Sequence, residues 1–127
     1  MSTTDVATMS TKQIAKRLKS LCEKGQFEDA VKELFSRDAV SIEPMASAMF
    51  EKETHGQHAI LAKGKKWNEM VEKNHSHEVS EPLVAGNSFS VTMHLDATMK
   101  DGKRMDMSEL CVYHVKDGKI ISEQFFI

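Results

Sequence analysis

The hydrophobic period of this chain changes near His75, and that change constrains the fold more than any other feature of the sequence. Before it, apolar residues recur at the helical spacing of three or four; after it, apolar and polar residues alternate, as in strands with one buried face. Three turn dipeptides, Gly86-Asn87, Asp101-Gly102 and Asp117-Gly118, divide the second part. They predict an antiparallel meander of strands at roughly 75–85, 89–100, 103–116 and 119–127. Helices ahead of a meander predict an α+β fold with the helices packed on one sheet face.

Three helices and a short strand are predicted before the meander. Ser10-Thr11-Lys12-Gln13 has the form of a capping box, and Gly25 can end the helix that follows it. Apolar spacing from Phe27 to Phe35 predicts the second helix. A strand from Ala39 to Glu43 is stopped by proline, and residues 44–54 are expected to form a loop or a lid. The third helix has one face made of Ile60, Gly64, Trp67, Met70 and Val71.

The composition is that of one domain. The chain has 127 residues, of which 40% are hydrophobic, so we assign residues 1–10 to a flexible N-terminal tail and residues 11–127 to a single domain. No apolar run is long enough to cross a bilayer, and the first ten residues lack the apolar core of a secretory signal. Cys22 and Cys111 fit no metal-ligand spacing, so we expect two reduced thiols and a cytoplasmic location.

Several classes of partner and cofactor are not expected. The net charge is −2, and the only dense basic stretch, Lys63 to Lys66, is interpreted as a solvated helix face and not as a nucleic-acid site. The sequence has no glycine-rich phosphate loop, nucleophile elbow or paired cysteine motif, which argues against a nucleotide cofactor and covalent catalysis. No metal is expected, because His75-x-His77 alone is not a compact ligand signature. The expected partner is a small-molecule ligand.

Strand register decides which side chains of the meander share a face. Two-residue turns at Gly86-Asn87 and Asp101-Gly102 predict the pairs Ala85 with Ser88, His75 with Thr98, His77 with Asp96, His94 with Glu109, and Asp96 with Met107. A three-residue loop ending at Gly118 predicts Glu123 opposite Cys111. One inward face would then carry Tyr113 together with His75, His77, His94, Asp96, Glu109 and Glu123.

The opposite face of the meander is apolar under the same registers. It would carry Val91, Met93, Leu95, Leu110 and Val112, and it would point away from the helices. An uncovered apolar sheet face usually marks a subunit contact, so we expect a homodimer through the outer face of the sheet.

The whole chain after the tail resembles the nuclear-transport-factor-2-like superfamily, and within it the small SnoaL-like proteins. The resemblance depends on Glu43-Pro44, Gly64-Lys65-Lys66-Trp67, His75, His77, Asp96-Ala97-Thr98, Glu109, Tyr113, Asp117-Gly118-Lys119-Ile120 and Glu123-Gln124-Phe125-Phe126. It implies a cystatin-like cone, in which three N-terminal helices pack on a curved, mainly antiparallel sheet around a ligand cavity. It also implies dimerisation through the outer face of the sheet. The superfamily includes ketosteroid isomerases, polyketide cyclases, dehydratases and non-catalytic binders, so the fold alone does not assign an activity.

The resemblance carries only part of an isomerase site into this chain. Glu43 lies where a ketosteroid isomerase has its carboxylate base, but the two oxyanion partners fall at about Leu18 and Cys111. Leucine donates no hydrogen bond and a thiol donates a weak one, so steroid isomerisation by that mechanism is not expected.

Two functions remain open. The first is a cofactor-independent acid–base enzyme, of isomerase, cyclase or dehydratase type, acting on a small apolar carbonyl compound. Its candidate catalytic residues are His77, Asp96, His94 and Glu109, because an imidazole beside a carboxylate can transfer protons near neutral pH. Its candidate pocket residues are Glu43, Trp67, His75, Thr98, Met107, Cys111, Tyr113, Glu123 and Phe125. The second is a non-catalytic ligand-binding or dimerisation module, in which the same residues form a satisfied polar network.

Overall fold

Three helices and one mixed sheet of seven strands make up residues 8–127, the part of the chain that the computed structural model describes. The elements are α1 Thr11–Glu23, α2 Phe27–Leu34, β1 Phe35–Ile42, β2 Glu53–His55, α3 Gln57–Met70, β3 Val71–Val79, β4 Leu83–Ala85, β5 Ser88–Met99, β6 Arg104–Lys116 and β7 Lys119–Phe126. This arrangement agrees with the predicted α+β class. Residues 1–7, most of the predicted tail, lie outside the described residues.

The first helix begins and ends where the sequence predicts. The Ser10 side chain accepts a hydrogen bond from the Gln13 backbone N–H and the Gln13 side chain accepts one from the Ser10 N–H, so both arms of the capping box form. Gly25, with φ 73°, provides the left-handed residue after the helix. The inward side of α1 is fully apolar, with Ile14, Ala15, Leu18, Leu21 and Cys22 all buried. No helix within residues 8–127 is both long and apolar enough to cross a membrane.

The strands lie in the order β2-β1-β7-β6-β5-β3, with β4 beside β5. All neighbours are antiparallel except β1 and β7, which run parallel. Strand β1 begins at Phe35, earlier than the predicted Ala39, because the chain passes directly from α2 into the sheet. Of the predicted inward face of α3, only Ile60 is buried, and Gly64 is exposed.

The two Asp-Gly turns have the opposite loop lengths to those predicted. Asp117 and Gly118, with φ 51° and 74°, form a two-residue turn that pairs Lys116 with Lys119. At the other turn, the Met99 N–H donates to the Lys103 carbonyl at 2.8 Å, and three residues lie between them. The reason is a contact outside the hairpin, since the Lys100 N–H donates to the Met70 carbonyl at 2.8 Å and is unavailable to pair across the turn.

The three-residue loop at Asp101-Gly102 shifts the β5–β6 register by one residue. Asp96 lies opposite Asp106 and not Met107, while His94 lies opposite Ser108 and not Glu109. Because side chains alternate between faces, this one-residue slip places His94 and Asp96 on the opposite side of the sheet from Glu109. The predicted inward position of His94 and Asp96 was therefore wrong. In β6–β7, Glu123 lies opposite Tyr113, two residues from the predicted partner, so its predicted face is confirmed although its register is not.

The β3–β5 register is also shifted, although the predicted pair Ala85–Ser88 is confirmed. The shift arises at Ser80, whose hydroxyl accepts a 2.8 Å hydrogen bond from the Thr92 N–H in place of a backbone carbonyl. On the N-terminal side of Ser80, His77 lies opposite Leu95, so the predicted pair His77–Asp96 does not form.

The apolar side of β5 forms the floor of the core beneath the helices. Phe89, Val91, Met93, Ala97 and Met99 are buried there together with Cys111, Tyr113 and the inward side of α1. The prediction that Val91, Met93 and Leu95 face outward was therefore wrong. Only Leu110 and Val112 keep the predicted outward position, since they alternate with the buried Cys111 and Tyr113.

Candidate acid–base site

Three glutamates and one lysine meet on the inward side of the sheet. Glu43 follows the last residue of β1, Glu109 lies on β6, Glu123 lies on β7, and Lys63 reaches them from α3. Together with Ser41 of β1 they are called the interior cluster below. Ser41 and Tyr113 share one face with Glu123, because both are its register partners on the neighbouring strands β1 and β6. Glu109 lies on the same face as Tyr113, because the two are four residues apart on β6.

Lys63 is the centre of the hydrogen bonding in this cluster. Its ammonium donates to the Glu43 carboxylate at 2.8 Å and to the Ser41 hydroxyl at 2.7 Å. The side chains of the ion pair are only 14% exposed for Lys63 and 26% for Glu43, so solvent screens it less than an ordinary surface salt bridge. An ammonium has three N–H donors, and these two bonds leave one for another acceptor.

The Ser41 hydroxyl connects this lysine to a buried acid. It donates at 2.7 Å to Oε2 of Glu123, which is 8% exposed. Burial raises the pKa of Glu123, while the hydrogen bond from Ser41 and the charge of Lys63 act in the opposite direction. The three residues form one chain of donors and acceptors, running from ammonium to hydroxyl to carboxylate.

Glu109 is the group in the cluster that is poised to exchange a proton at neutral pH. Burial, followed by the charges of Glu43 and Glu123, raises the pKa of Glu109 to about 7. The opposing effects are smaller: the Cys111 thiol donates to Glu109 at 3.8 Å, and Lys63 contributes its positive charge. A carboxyl group with this pKa is present both as acid and as base near pH 7, which general acid–base catalysis requires.

Apolar and aromatic side chains surround the cluster. Phe125 lies under the Lys63 ammonium, 5.6 Å from nitrogen to ring centroid, and Tyr113 stacks on Phe89 at 4.8 Å. Burial raises the pKa of both Tyr113 and Cys111 well above the usual range, so both stay neutral. Met107 alternates onto the same inward face. Of the predicted pocket residues, Glu43, Met107, Cys111, Tyr113, Glu123 and Phe125 lie on this side, and Trp67 is half-buried on α3.

His77 lies on the inward face but away from the other predicted catalytic residues. Its ring is 4.8 Å from that of Phe27, and burial lowers the pKa of His77, so the imidazole is neutral at pH 7. Strand β5 separates it from Glu109, which places the two backbones about 10 Å apart at the usual strand spacing. Of the four predicted catalytic residues, the structure thus keeps His77 and Glu109 on one side and brings neither into contact with a catalytic partner from that set.

The other predicted residues lie on the outer face of the sheet. His94 forms a 2.5 Å contact with Asp106, and Arg104 binds both oxygens of Asp96 at 2.9 and 2.7 Å. The hydrogen bond from Arg104 lowers the pKa of Asp96. A further outer-face pair joins the His75 ring to the Thr98 hydroxyl at 2.6 Å. The predicted pair His75–Thr98 is therefore in contact, although on the outer face and not the inner one. The shifted registers explain why the predicted pairs His77–Asp96 and His94–Glu109 are absent.

Lys63 and Ser41 were not among the predicted site residues. The signals were present: Lys63 follows Ile60 by three residues and precedes Trp67 by four, so it lies on the same helix face. Ser41 alternates with Ala39 in β1 and with Glu43 just after it, and both Ala39 and Ser41 are buried. Within residues 8–127, no group of three or more His, Cys, Asp or Glu side chains is arranged to hold a metal ion.

Comparison with known proteins places this architecture in a family. The sequence model of the SnoaL-like domain matches residues 9–127. A Mesorhizobium loti protein, provisionally described as a SnoaL-like polyketide cyclase, is 32% identical, with 94% of this chain and 100% of that chain covered at a TM-score of 0.86. No curated protein sequence matches the chain.

Two more distant structures show the fold alone. A Xanthomonas campestris protein of unknown function with a cystatin-like fold is 17% identical, with 93% and 90% of the two chains covered at a TM-score of 0.78. A Bacillus subtilis protein, provisionally described as an isomerase, is 16% identical, with 92% and 88% covered at a TM-score of 0.73. The match over residues 9–127 is decisive, and this chain belongs to the SnoaL-like domain family.

Proposed function

We propose that this protein catalyses cofactor-independent proton transfer on a small, mostly apolar carbonyl compound held against the interior cluster. The observation that carries the proposal is the arrangement of a carboxyl group, Glu109, and a hydrogen-bond-donating ammonium, Lys63, on one apolar, inward face. Acid–base chemistry next to a carbonyl needs both: a group that takes a proton from carbon and a donor for the oxygen that becomes negative.

Each member of the cluster has a role in this proposal. Glu109 takes a proton from the carbon next to the substrate carbonyl and returns it at another position, while the third N–H of Lys63 donates to the carbonyl oxygen. The pKa of Glu109, about 7, makes both half-reactions accessible near neutral pH. Glu43 and the Ser41–Glu123 pair hold the ammonium in place by hydrogen bonds of 2.7 to 2.8 Å.

The relatives support the reaction class but do not assign the substrate. The relative that is 32% identical is provisionally described as a polyketide cyclase. Cyclisation of a polyketide commonly includes proton transfer next to a carbonyl. The positions of the donors differ from those of a ketosteroid isomerase, since Leu18 of α1 and Cys111 of β6 are both buried and lack strong donors.

A second candidate is a non-catalytic ligand-binding module, and a specific observation favours it. The strongest donors and acceptors of the cluster are already paired with each other, as in Lys63–Glu43 and Ser41–Glu123. The short imidazole–carboxylate contact, His94–Asp106, lies on the outer face. A ligand would then be held by shape and by the apolar walls, and Glu109 would be a buried acid without a chemical role.

The homodimer is proposed as part of either function. On the outer face, Leu110 lies opposite Phe126, and these side chains are 40% and 46% exposed. Two such patches facing each other would cover apolar surface that a monomer leaves in water. Sedimentation velocity of the wild type and of Leu110→Ser tests this: the proposal requires a dimer that the substitution weakens.

Hydrogen–deuterium exchange distinguishes enzyme from binder. A panel of small ketones and oxo acids is incubated with the protein in heavy water, and exchange next to the carbonyl is followed by proton NMR. An enzyme accelerates exchange for at least one member, and Glu109→Gln reduces that acceleration by about 100-fold or more, because Gln cannot carry the proton. The control His94→Gln, on the outer face, retains it. Binding without accelerated exchange across the panel contradicts the enzyme and supports the module.

A further inference from the structure

A cleft of about 220 Å³ lies between the loop 43–52 and helix α3, next to the interior cluster. Its lining consists of Met49, Phe50, Glu51, Thr54, Ala59, Ala62, Lys63 and Lys66. The volume is below the 300–1,000 Å³ typical of drug-sized ligands, so it fits only a small molecule or one end of a larger one. It shares Lys63 with the interior cluster, so a ligand in the cleft lies beside the proposed site.

The loop is held over α3 by Lys66. Its ammonium donates to the Met49 carbonyl at 2.7 Å and lies 5.5 Å from the Phe50 ring centroid. The base of the loop is closed by the Glu43 N–H, which donates to the Lys52 carbonyl at 2.7 Å. Lys66 is exposed and still has N–H donors that no residue of the described chain accepts.

The stretch Lys63 to Lys66 is therefore more than the solvated helix face that the sequence suggested. Lys63 and Lys66 are one helical turn apart, at a Cβ separation of about 5–6 Å, and both line the cleft. Lys65, between them, is exposed and is not part of the lining. The lining carries two cations, Lys66 and Lys63, the second of which is paired with Glu43, and one acid, Glu51. The remaining side chains are apolar apart from Thr54.

We propose that this cleft binds the carboxylate of a small amphipathic acid. Lys66 pairs with the carboxylate, and Met49, Phe50, Ala59 and Ala62 contact the apolar body. Taken with the proposed function, on which this last step rests, the carbonyl of the same ligand reaches Lys63, so the substrate class is a small oxo acid. An inorganic anion would leave the apolar walls uncovered, and a neutral ketone would leave Lys66 without an anionic partner.

Matched acid and amide pairs test the cleft directly. Benzoate with benzamide, and hexanoate with hexanamide, are titrated into the full chain, and the backbone amide shifts of Phe50, Ala59 and Ala62 are followed by NMR. The acid is expected to bind about tenfold more tightly than its amide, a difference of about 1.4 kcal/mol. Lys66→Met removes this preference, Lys66→Arg retains it, and the matched control Lys65→Met leaves it unchanged. The amide spectrum of each variant reports whether it is folded.

Three results would overturn the assignment: equal affinities for acid and amide, an acid preference that survives Lys66→Met, or shifts confined to another part of the molecule. Failure of the proposed chemistry looks different. If the acids bind in the cleft and no oxo acid shows accelerated exchange, the result supports the carboxylate site and contradicts the proposed enzyme. If neutral ketones show accelerated hydrogen–deuterium exchange and Lys66→Met leaves the KM of oxo acids unchanged, the result supports the proposed enzyme and contradicts the carboxylate site.

Discussion

The hydroxyl of Ser41 donates a 2.7 Å hydrogen bond to Glu123, a contact that joins two residues 82 positions apart in the sequence. The two strands that carry them are the parallel pair of the sheet, and the two residues are direct register partners. This single bond ties the buried acid to Lys63, since the same hydroxyl accepts from the ammonium. The interior cluster is therefore positioned by the sheet and not by a local sequence motif.

Ser41→Ala tests that connection. The alanine leaves the Glu123 carboxylate without its donor, and because the Ser41 hydrogen bond lowers the pKa of Glu123, the substitution should raise that pKa further. We expect a loss of about 1.5–3 kcal/mol in the free energy of unfolding, the usual effect of removing a hydrogen bond to a charged group. Urea unfolding at neutral pH measures it. Ser108→Ala, exposed on the outer face, is the control and should change stability by less than about 0.5 kcal/mol.

Glu109 should make the protein less stable as the pH rises. Its pKa is about 7 in the folded chain against an ordinary value of 4.5, so the folded state holds a proton that the unfolded state releases between these values. The free energy of unfolding should therefore fall across that window, by at most about 3 kcal/mol from this group. Glu109→Gln should flatten the curve and be more stable than the wild type above pH 7. A variant curve as steep as that of the wild type would contradict the shift.

The fold class was readable from the sequence, and the strand registers were not. The capping box at Ser10, Gly25 and the three turn dipeptides are local signals, and each marks a boundary that the structure contains. Register depends on contacts that are distant along the chain. The Lys100 N–H bonds to Met70, and the Ser80 hydroxyl replaces a backbone acceptor for Thr92, and each event shifts a strand by one residue.

The glycines of the two Asp-Gly turns differ in the room available for a side chain. Both have positive φ, 91° for Gly102 and 74° for Gly118, but a Cβ at Gly118 would lie within 1.7 Å of the Thr8 side chain, whereas one at Gly102 meets nothing within 4 Å. Gly102→Ala should cost about 1 kcal/mol, the left-handed penalty alone. Gly118→Ala should cost more, because Thr8 must also move. Thermal unfolding compares the two, and the steric account fails if Gly118→Ala is the milder substitution.

The site residues were predicted correctly where local sequence patterns determine the face of a strand, and wrongly where distant contacts determine the register. Glu109, Cys111, Tyr113 and Glu123 were placed on the correct face because their strands alternate strictly and the error in the last hairpin was an even number of residues. His94 and Asp96 were misplaced because the error next to them was odd. Lys63 was missed because a charged residue in a basic stretch is usually solvated, and its burial depends on Glu43 across the cluster.

His94→Gln and Lys63→Met test whether the two faces of the sheet act independently. The substitution removes the imidazole beside Asp106 on the outer face, so it should leave the titration of Glu109 and any catalysed exchange unchanged. Lys63→Met, on the inner face, should raise the pKa of Glu109, since the positive charge of Lys63 lowers it. NMR titration of both variants checks this pair of outcomes. An effect of His94→Gln equal to that of Lys63→Met would mean that the two faces communicate.

The carboxyl carbon of Glu109 gives the most direct measurement of the central claim. In carbon-13 NMR, with the signal assigned by its loss in Glu109→Gln, the carboxyl should titrate with a pKa of about 7 in the wild type. That result would identify a buried acid ready to exchange protons at neutral pH. A titration at the ordinary glutamate value near 4.5 would contradict the account and leave the interior cluster as a structural ion pair.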